Sequence, residues 1–157
     1  MTGKQFEDLI KDSCEKQGLS YTRLKDAGWM GETTERRFTP TNVCDCIIFD
    51  GSTMLFAEAK HRRDRVEFSG LKQLKDLLNK QGNCPTKNIS YGFMFCIKGQ
   101  FYYCDAMRIA IKQQTMGKKS FNDTDAKEFC IEVPTFIPSR ARKERLDIAA
   151  LMKLLKA

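Results

Sequence analysis

Apolar positions along the chain change period several times, and each change marks an element. Between Lys4 and Gln17, Phe6, Leu9, Ile10 and Cys14 recur at three and four residues with polar positions between them, which predicts an amphipathic helix. Thr2 or Gly3 can cap it, Glu7 and Asp8 sit near its positive end, and Gly18 stops it. Leu19 to Leu24 has the composition of a short strand. Lys25 to Asn42 then holds no period, and eighteen such residues are unusual inside a compact domain, so the segment is expected to be a functional loop or a small hairpin.

Val43 to Phe49 is an apolar run broken by Asp45, and Met54 to Lys60 is a second one ending in Glu58-Ala59-Lys60. Turn chemistry at Asp50-Gly51-Ser52-Thr53 separates them, so the pair reads as a buried hairpin. Leu71, Leu74, Leu77 and Leu78 predict a helix over Phe68 to Lys80, with Ser69 as a candidate cap and Gly82 to Lys87 as its close. Ile89 to Ile97 predicts a central strand, and a turn at Gly99 leads into a partner at Gln100 to Cys104. Asp105 to Gln114 reads as a helix, Gly117 to Lys127 as a polar loop and Glu128 to Val133 as a strand. A terminal basic helix is expected over Lys143 to Lys156, with Leu146, Ala150, Leu151 and Leu154 on one face. Together these elements predict one α/β domain over residues 1–157, with a central mixed sheet of about five strands flanked by helices.

Charge narrows the partners. The chain carries 27 Lys and Arg against 20 Asp and Glu, a formal +7, which suits a protein that approaches a polyanion. Basic residues cluster at His61, Arg62, Arg63 and Arg65, at Lys118 and Lys119, and at Arg140, Arg142, Lys143 and Arg145. Seven cysteines lack the paired spacing of a zinc knuckle, so reduced thiols are expected, with neither zinc nor disulfide. Cys44 and Cys46, two apart, are expected on one strand face as small buried residues. No apolar run approaches the ~20 residues that cross a bilayer, and no segment has signal-peptide form, which predicts a cytoplasmic protein.

The chemistry lies where charge interrupts the hairpin. A carboxylate inside an apolar strand costs several kcal/mol to bury unless it is paired or binds a metal. Alternation puts Glu58 and Lys60 on one face, and any even-length turn puts Asp45 there too; a four-residue turn sets Asp45 opposite Glu58. Two converging carboxylates suit Mg²⁺, with Mn²⁺ as a substitute, and the Ala59 carbonyl can add a third oxygen.

Asp45, a further twelve residues and then Glu58-Ala59-Lys60 resemble the PD-(D/E)xK motif, with Cys44 where a Pro or Ser usually stands. Gly3-Lys4-Gln5-Phe6-Glu7 and Phe68-Ser69-Gly70-Leu71-Lys72-Gln73 resemble RecU-type Holliday-junction resolvases and their phage relatives. The resemblance spans residues 3–98. It implies a restriction-endonuclease-like core, with Glu7 assisting the metal site, Gln73 approaching the active centre, and a short stalk at residues 25–42. Arg36, Arg37 and Phe38 on that stalk, with Arg62, Arg63 and Arg65, are the expected DNA contacts. It further implies a homodimer acting on four-way or other branched DNA, encoded by a bacteriophage or related element and working in a bacterial cytoplasm. Two alternatives stay open: a restriction-like or DNA-end-processing nuclease on the same core, and a DNA-binding protein without catalysis.

Overall fold

A computed structural model describes residues 1–24, 44–68, 72–83, 88–140 and 143–156. Helix α1 (Gly3–Lys16) starts at a reciprocal cap in which the Thr2 hydroxyl accepts from the Gln5 amide and the Gln5 side chain accepts from the Thr2 amide. Phe6, Ile10 and Cys14 form its buried stripe. Strands β1 (Ser20–Arg23), β2 (Cys46–Phe49) and β3 (Met54–Arg62) follow, each antiparallel to the one before. A short strand β4 (Arg65–Glu67) and helix α2 (Lys72–Asn83) cross over to β5 (Ile89–Ile97), which runs parallel to β3. Strand β6 (Gln100–Asp105) returns through a two-residue turn in which Lys98 and Gly99 both take positive φ, 51° and 76°.

Helix α3 (Ala106–Met116) begins at an Asp105 cap and ends at Gly117 in the left-handed conformation. Then come β7 (Ser120–Asn122), α4 (Asp123–Phe129), β8 (Ile131–Glu132), β9 (Thr135–Phe136), β10 (Arg145–Leu146) and α5 (Ile148–Lys156). The main sheet has six strands in the order β1-β2-β3-β5-β6-β8, and two small pairs, β4 with β7 and β9 with β10, lie outside it. The α/β expectation holds, with six strands where about five were expected.

Two apolar clusters sandwich the sheet. One joins Phe6, Ile10 and Cys14 of α1 to Cys46, Leu55, Ala57, Met94 and the α5 residues Leu151 and Met152. The other joins Leu74 and Leu77 of α2 to Phe93, Phe95, Tyr102, Cys104 and Ile109. Strand β5 feeds both, which is why its seven residues Tyr91–Ile97 are all buried and read as an unbroken apolar run.

Five sequence expectations need correction. Residues 117–127 are not a loop: Val66 of β4 and Phe121 of β7 pair by a single buried residue each, and Asn122 with Asp125 forms a reciprocal cap that starts α4. That helix takes Glu128 and Phe129, leaving only Ile131–Glu132 as strand. Residues 143–147 are not helical, because Arg145 and Leu146 pair with β9 and the Leu146 amide donates to Ser13 Oγ at 2.9 Å. The Asp147 carboxylate accepts from the Ala150 amide and so starts α5 later, leaving Leu154 53% exposed. Helix α2 passes through Gly82 to Asn83 rather than ending before it. Cys44 and Cys46 are both buried but join opposite clusters, since a bend at residues 44–45 precedes the strand.

The β2–β3 turn is braced twice. Asp50 Oδ1 accepts from the Ser52 and Thr53 amides, and Asp50 Oδ2 lies 2.7 Å from Lys156 Nζ at the end of α5. The Lys156 hydrogen bond, followed by that of the Thr53 amide, holds the Asp50 carboxyl well below the usual carboxylate range. Asp50→Ala is therefore expected to cost about 1–3 kcal/mol in urea unfolding at pH 7. A group with a depressed folded pKa stabilises above its unfolded value of 3.8, so the deficit should shrink toward acid pH.

Candidate functional site

Register decides whether the acids meet. Phe49 pairs with Met54 and Cys46 with Ala57, so the turn spans four residues and brings Asp45, just beyond the paired register, beside the stretch of β3 that carries Glu58. Asp45 itself lies just outside β2, fixed between two strands: its carbonyl accepts from the Leu24 amide at 2.8 Å, and its amide donates to the Ala57 carbonyl at 3.1 Å. Its Oδ2 accepts from the Ala59 amide at 2.9 Å. The carboxylate is thus aimed along the strand that carries Glu58.

Glu58 is 6% exposed, an uncommon state for a carboxylate. Burial, then the adjacent charge of Asp45 and a hydrogen bond donated to Asp45 by the protonated form, push its carboxyl up to about 8. Lys60 Nζ lies 3.9 Å from Glu58 Oε1, too far for a hydrogen bond but close enough to oppose that rise. Glu7, half-buried on α1, is raised by burial and then by Asp45, and lowered by Arg23 and Lys60.

The structure therefore brings Asp45, Glu58 and Lys60 together and sets Glu7 within their electrostatic reach. Gln73 falls on α2, but its side chain, like Arg36, Arg37 and Phe38, lies outside the described residues. Arg62, Arg63 and Arg65 are exposed at the β3–β4 turn, two to five residues beyond Lys60 on the chain. The Lys98 amide donates to the Arg63 carbonyl, joining this turn to the β5–β6 turn.

Arg23 was not among the sequence candidates. It ends β1, pairs with Asp8 at 2.9 Å and bonds the Tyr21 hydroxyl, and its charge acts on Glu7. Its only sequence signal was a cation closing the short, largely polar strand after Leu19.

A divalent cation fits this donor set. Burial and the neighbouring Asp45 charge both disfavour the Glu58 carboxylate, an imbalance that a cation would offset, and two hard carboxylate ligands suit Mg²⁺, which keeps several waters. Among the described residues no three His, Cys, Asp or Glu side chains are grouped to hold a metal ion, so Glu7 does not join Asp45 and Glu58 as a third ligand. Asp45 and Glu58 are the direct candidates, with the backbone of Ala59 next to Glu58 and bonded through its amide to Asp45.

Compared with solved structures, the chain is similar to Hjc, a Holliday junction resolvase from the archaeal hyperthermophile Archaeoglobus fulgidus. The TM-score is 0.57 at 15% identity, and the match covers 83% of this chain and 95% of that one. The fold is restriction-endonuclease-like. No protein-family model matches the sequence, and no curated protein matches it. Within this restriction-endonuclease-like core, Glu58 and Lys60 share one face of β3, and Asp45 is bonded to the same strand at Ala57 and Ala59. Among the described residues no helix is long and apolar enough to cross a membrane.

Proposed function

We propose that the chain is a Mg²⁺-dependent endonuclease that cuts branched DNA, with Asp45, Glu58 and Lys60 at its centre and Glu7 beside them. The observation that carries this reading is the buried Glu58 carboxylate set against Asp45 on a fold shared with a Holliday junction resolvase. Hydrolysis places a water oxygen on phosphorus, breaks one P–O bond and delivers a proton to the leaving oxygen. Asp45 and Glu58 would hold the metal, which supplies Lewis acidity and a more acidic bound water. Lys60 orients water and neutralises the charge that grows on the phosphoryl oxygens. Ala59, by bonding Asp45 Oδ2, keeps that carboxylate from turning away.

The exposed Arg62, Arg63 and Arg65 serve as phosphate contacts next to the scissile bond, and Arg36, Arg37 and Phe38 as contacts at the branch point. A four-way junction has two strands to cut, so the working unit is a homodimer. Mn²⁺ substitutes for Mg²⁺, and a bacterial host cytoplasm, reached through a phage-encoded gene, is the setting that agrees with this chemistry.

The test is cleavage of a four-way junction and of a linear duplex of the same sequence, with Mg²⁺, Mn²⁺ or EDTA. Junction cleavage requiring metal is the expected result. Lys60→Ala should lower its rate by ~10² or more while junction binding persists. Equal cleavage of duplex and junction would favour a restriction-like enzyme, and binding without cleavage under either metal would favour a DNA-binding protein.

A further inference from the structure

Strand β8 pairs with β6 so that Tyr103 lies opposite Ile131 and Tyr102 opposite Glu132. Continued one step beyond the end of β8, this register sets Cys104 against Cys130, and both belong to the same apolar cluster. The Val133 amide donates to the Phe101 carbonyl at 2.8 Å, so 101/133 is a hydrogen-bonded pair and alternation makes 104/130 a non-hydrogen-bonded one. The Cys130 amide agrees, since it donates to Ala126 in α4 rather than to β6. Opposite residues at such a position have α-carbons about 4.5 Å apart, at the short end of the 4.4–6.8 Å that a disulfide spans. The two thiols already share a hydrogen bond, and both line a cavity of about 290 Å³ with Arg108, Glu128 and Leu155. Cys104 is 1% exposed while Cys130 is half-buried, so a small reagent meets Cys130 first.

We propose that Cys104 and Cys130 are an oxidisable dithiol, a modification site that closes to an intramolecular disulfide when a small organic disulfide enters this cavity. The exchange balances in two steps. The Cys130 sulfur attacks the small disulfide, forming a mixed disulfide and releasing one small thiol. The Cys104 sulfur then attacks the Cys130 sulfur and releases the second, and the two protein protons end on the two released thiols. The hydrogen bond to Cys104, and then burial, raise the Cys130 thiol, so closure should quicken with rising pH. The short span strains the bond and keeps it reducible. In the sheet, Cys104, Phe93 and Glu58 form one row across β6, β5 and β3, so the clasp sits in line with Glu58.

The experiment exposes the native, full-length protein to oxidised glutathione at pH 8 and maps peptides without reduction. A Cys104–Cys130 cross-link is expected, with loss of two titratable thiols, recovered by dithiothreitol, while Cys14, Cys46 and Cys96 stay reduced. Cys104→Ser should instead accumulate glutathione on Cys130. Dibromobimane, which fluoresces only after bridging two neighbouring thiols, should label the untreated wild type and neither serine variant, a readout that needs no oxidation. A wild type that stops at the mixed disulfide, a cross-link to a different cysteine, or bimane bridging that survives Cys130→Ser would overturn the assignment.

Discussion

Protein carrying Glu58→Gln is expected to be more stable than wild type at pH 8 and to have lost DNA cleavage. Because folding raises the Glu58 pKa from 4.5 to about 8, the folded state holds a proton that the unfolded chain has released across that interval. Stability contributed at this position is therefore greatest below about pH 4.5 and is lost as the pH climbs through the folded value. Gln mimics the protonated acid, so the variant should gain about 1–3 kcal/mol at pH 8 and almost nothing at pH 5. Urea unfolding at both pH values measures the difference. Mg²⁺ should narrow the gap by stabilising wild type alone, and cleavage of a four-way junction should fall by ~10² or more. A stability gain that is equal at the two pH values would mean that the buried carboxylate is not the source.

Gly92→Ala should give the largest loss of stability. A β-carbon there would lie 2.4 Å from the Cys104 carbonyl oxygen and 2.6 Å from the Tyr103 hydroxyl. The first obstacle is backbone, and the second is a fully buried ring whose hydroxyl is bonded to Ser90. Relief requires β5 and β6 to separate in the middle of the sheet. An expected cost of about 3 kcal/mol or more should appear as a lower urea midpoint. Little change would mean that the two strands have slack at this point.

The elements that carry the site were legible because their signals are local and strong. Asp45 and Glu58 stand out against apolar neighbours, and the even turn between their strands is enough to bring them together, although the bend at residues 44–45 breaks the period-two alternation expected there. The α1 stripe and the β5 run were equally plain. Residues 117–147 were misread because β7, β9 and β10 are only two or three residues long and between them bury only Phe121, Arg145 and Leu146. Their pairing depends on distant partners such as Val66 and Ser13, which no window of sequence contains. The Asn122 and Asp125 cap was a readable sign of α4, hidden by the polar composition around it. Arg23 was missed for a related reason. Its meaning comes from α1 residues Glu7 and Asp8, which are far from it on the chain but adjacent in space.

Asp45 also has a mechanical duty. Its carbonyl, amide and carboxylate together bond Leu24, Ala57 and Ala59, so one residue rivets the end of β1 to β3. Amide hydrogen exchange at Leu24, Asp45 and Ala59 should then proceed through one shared local opening rather than three separate ones. Asparagine keeps an acceptor oxygen for the Ala59 amide, whereas alanine releases it. Loss of activity in Asp45→Ala would therefore mix missing chemistry with a loosened strand, and exchange at the Ala59 amide separates the two contributions.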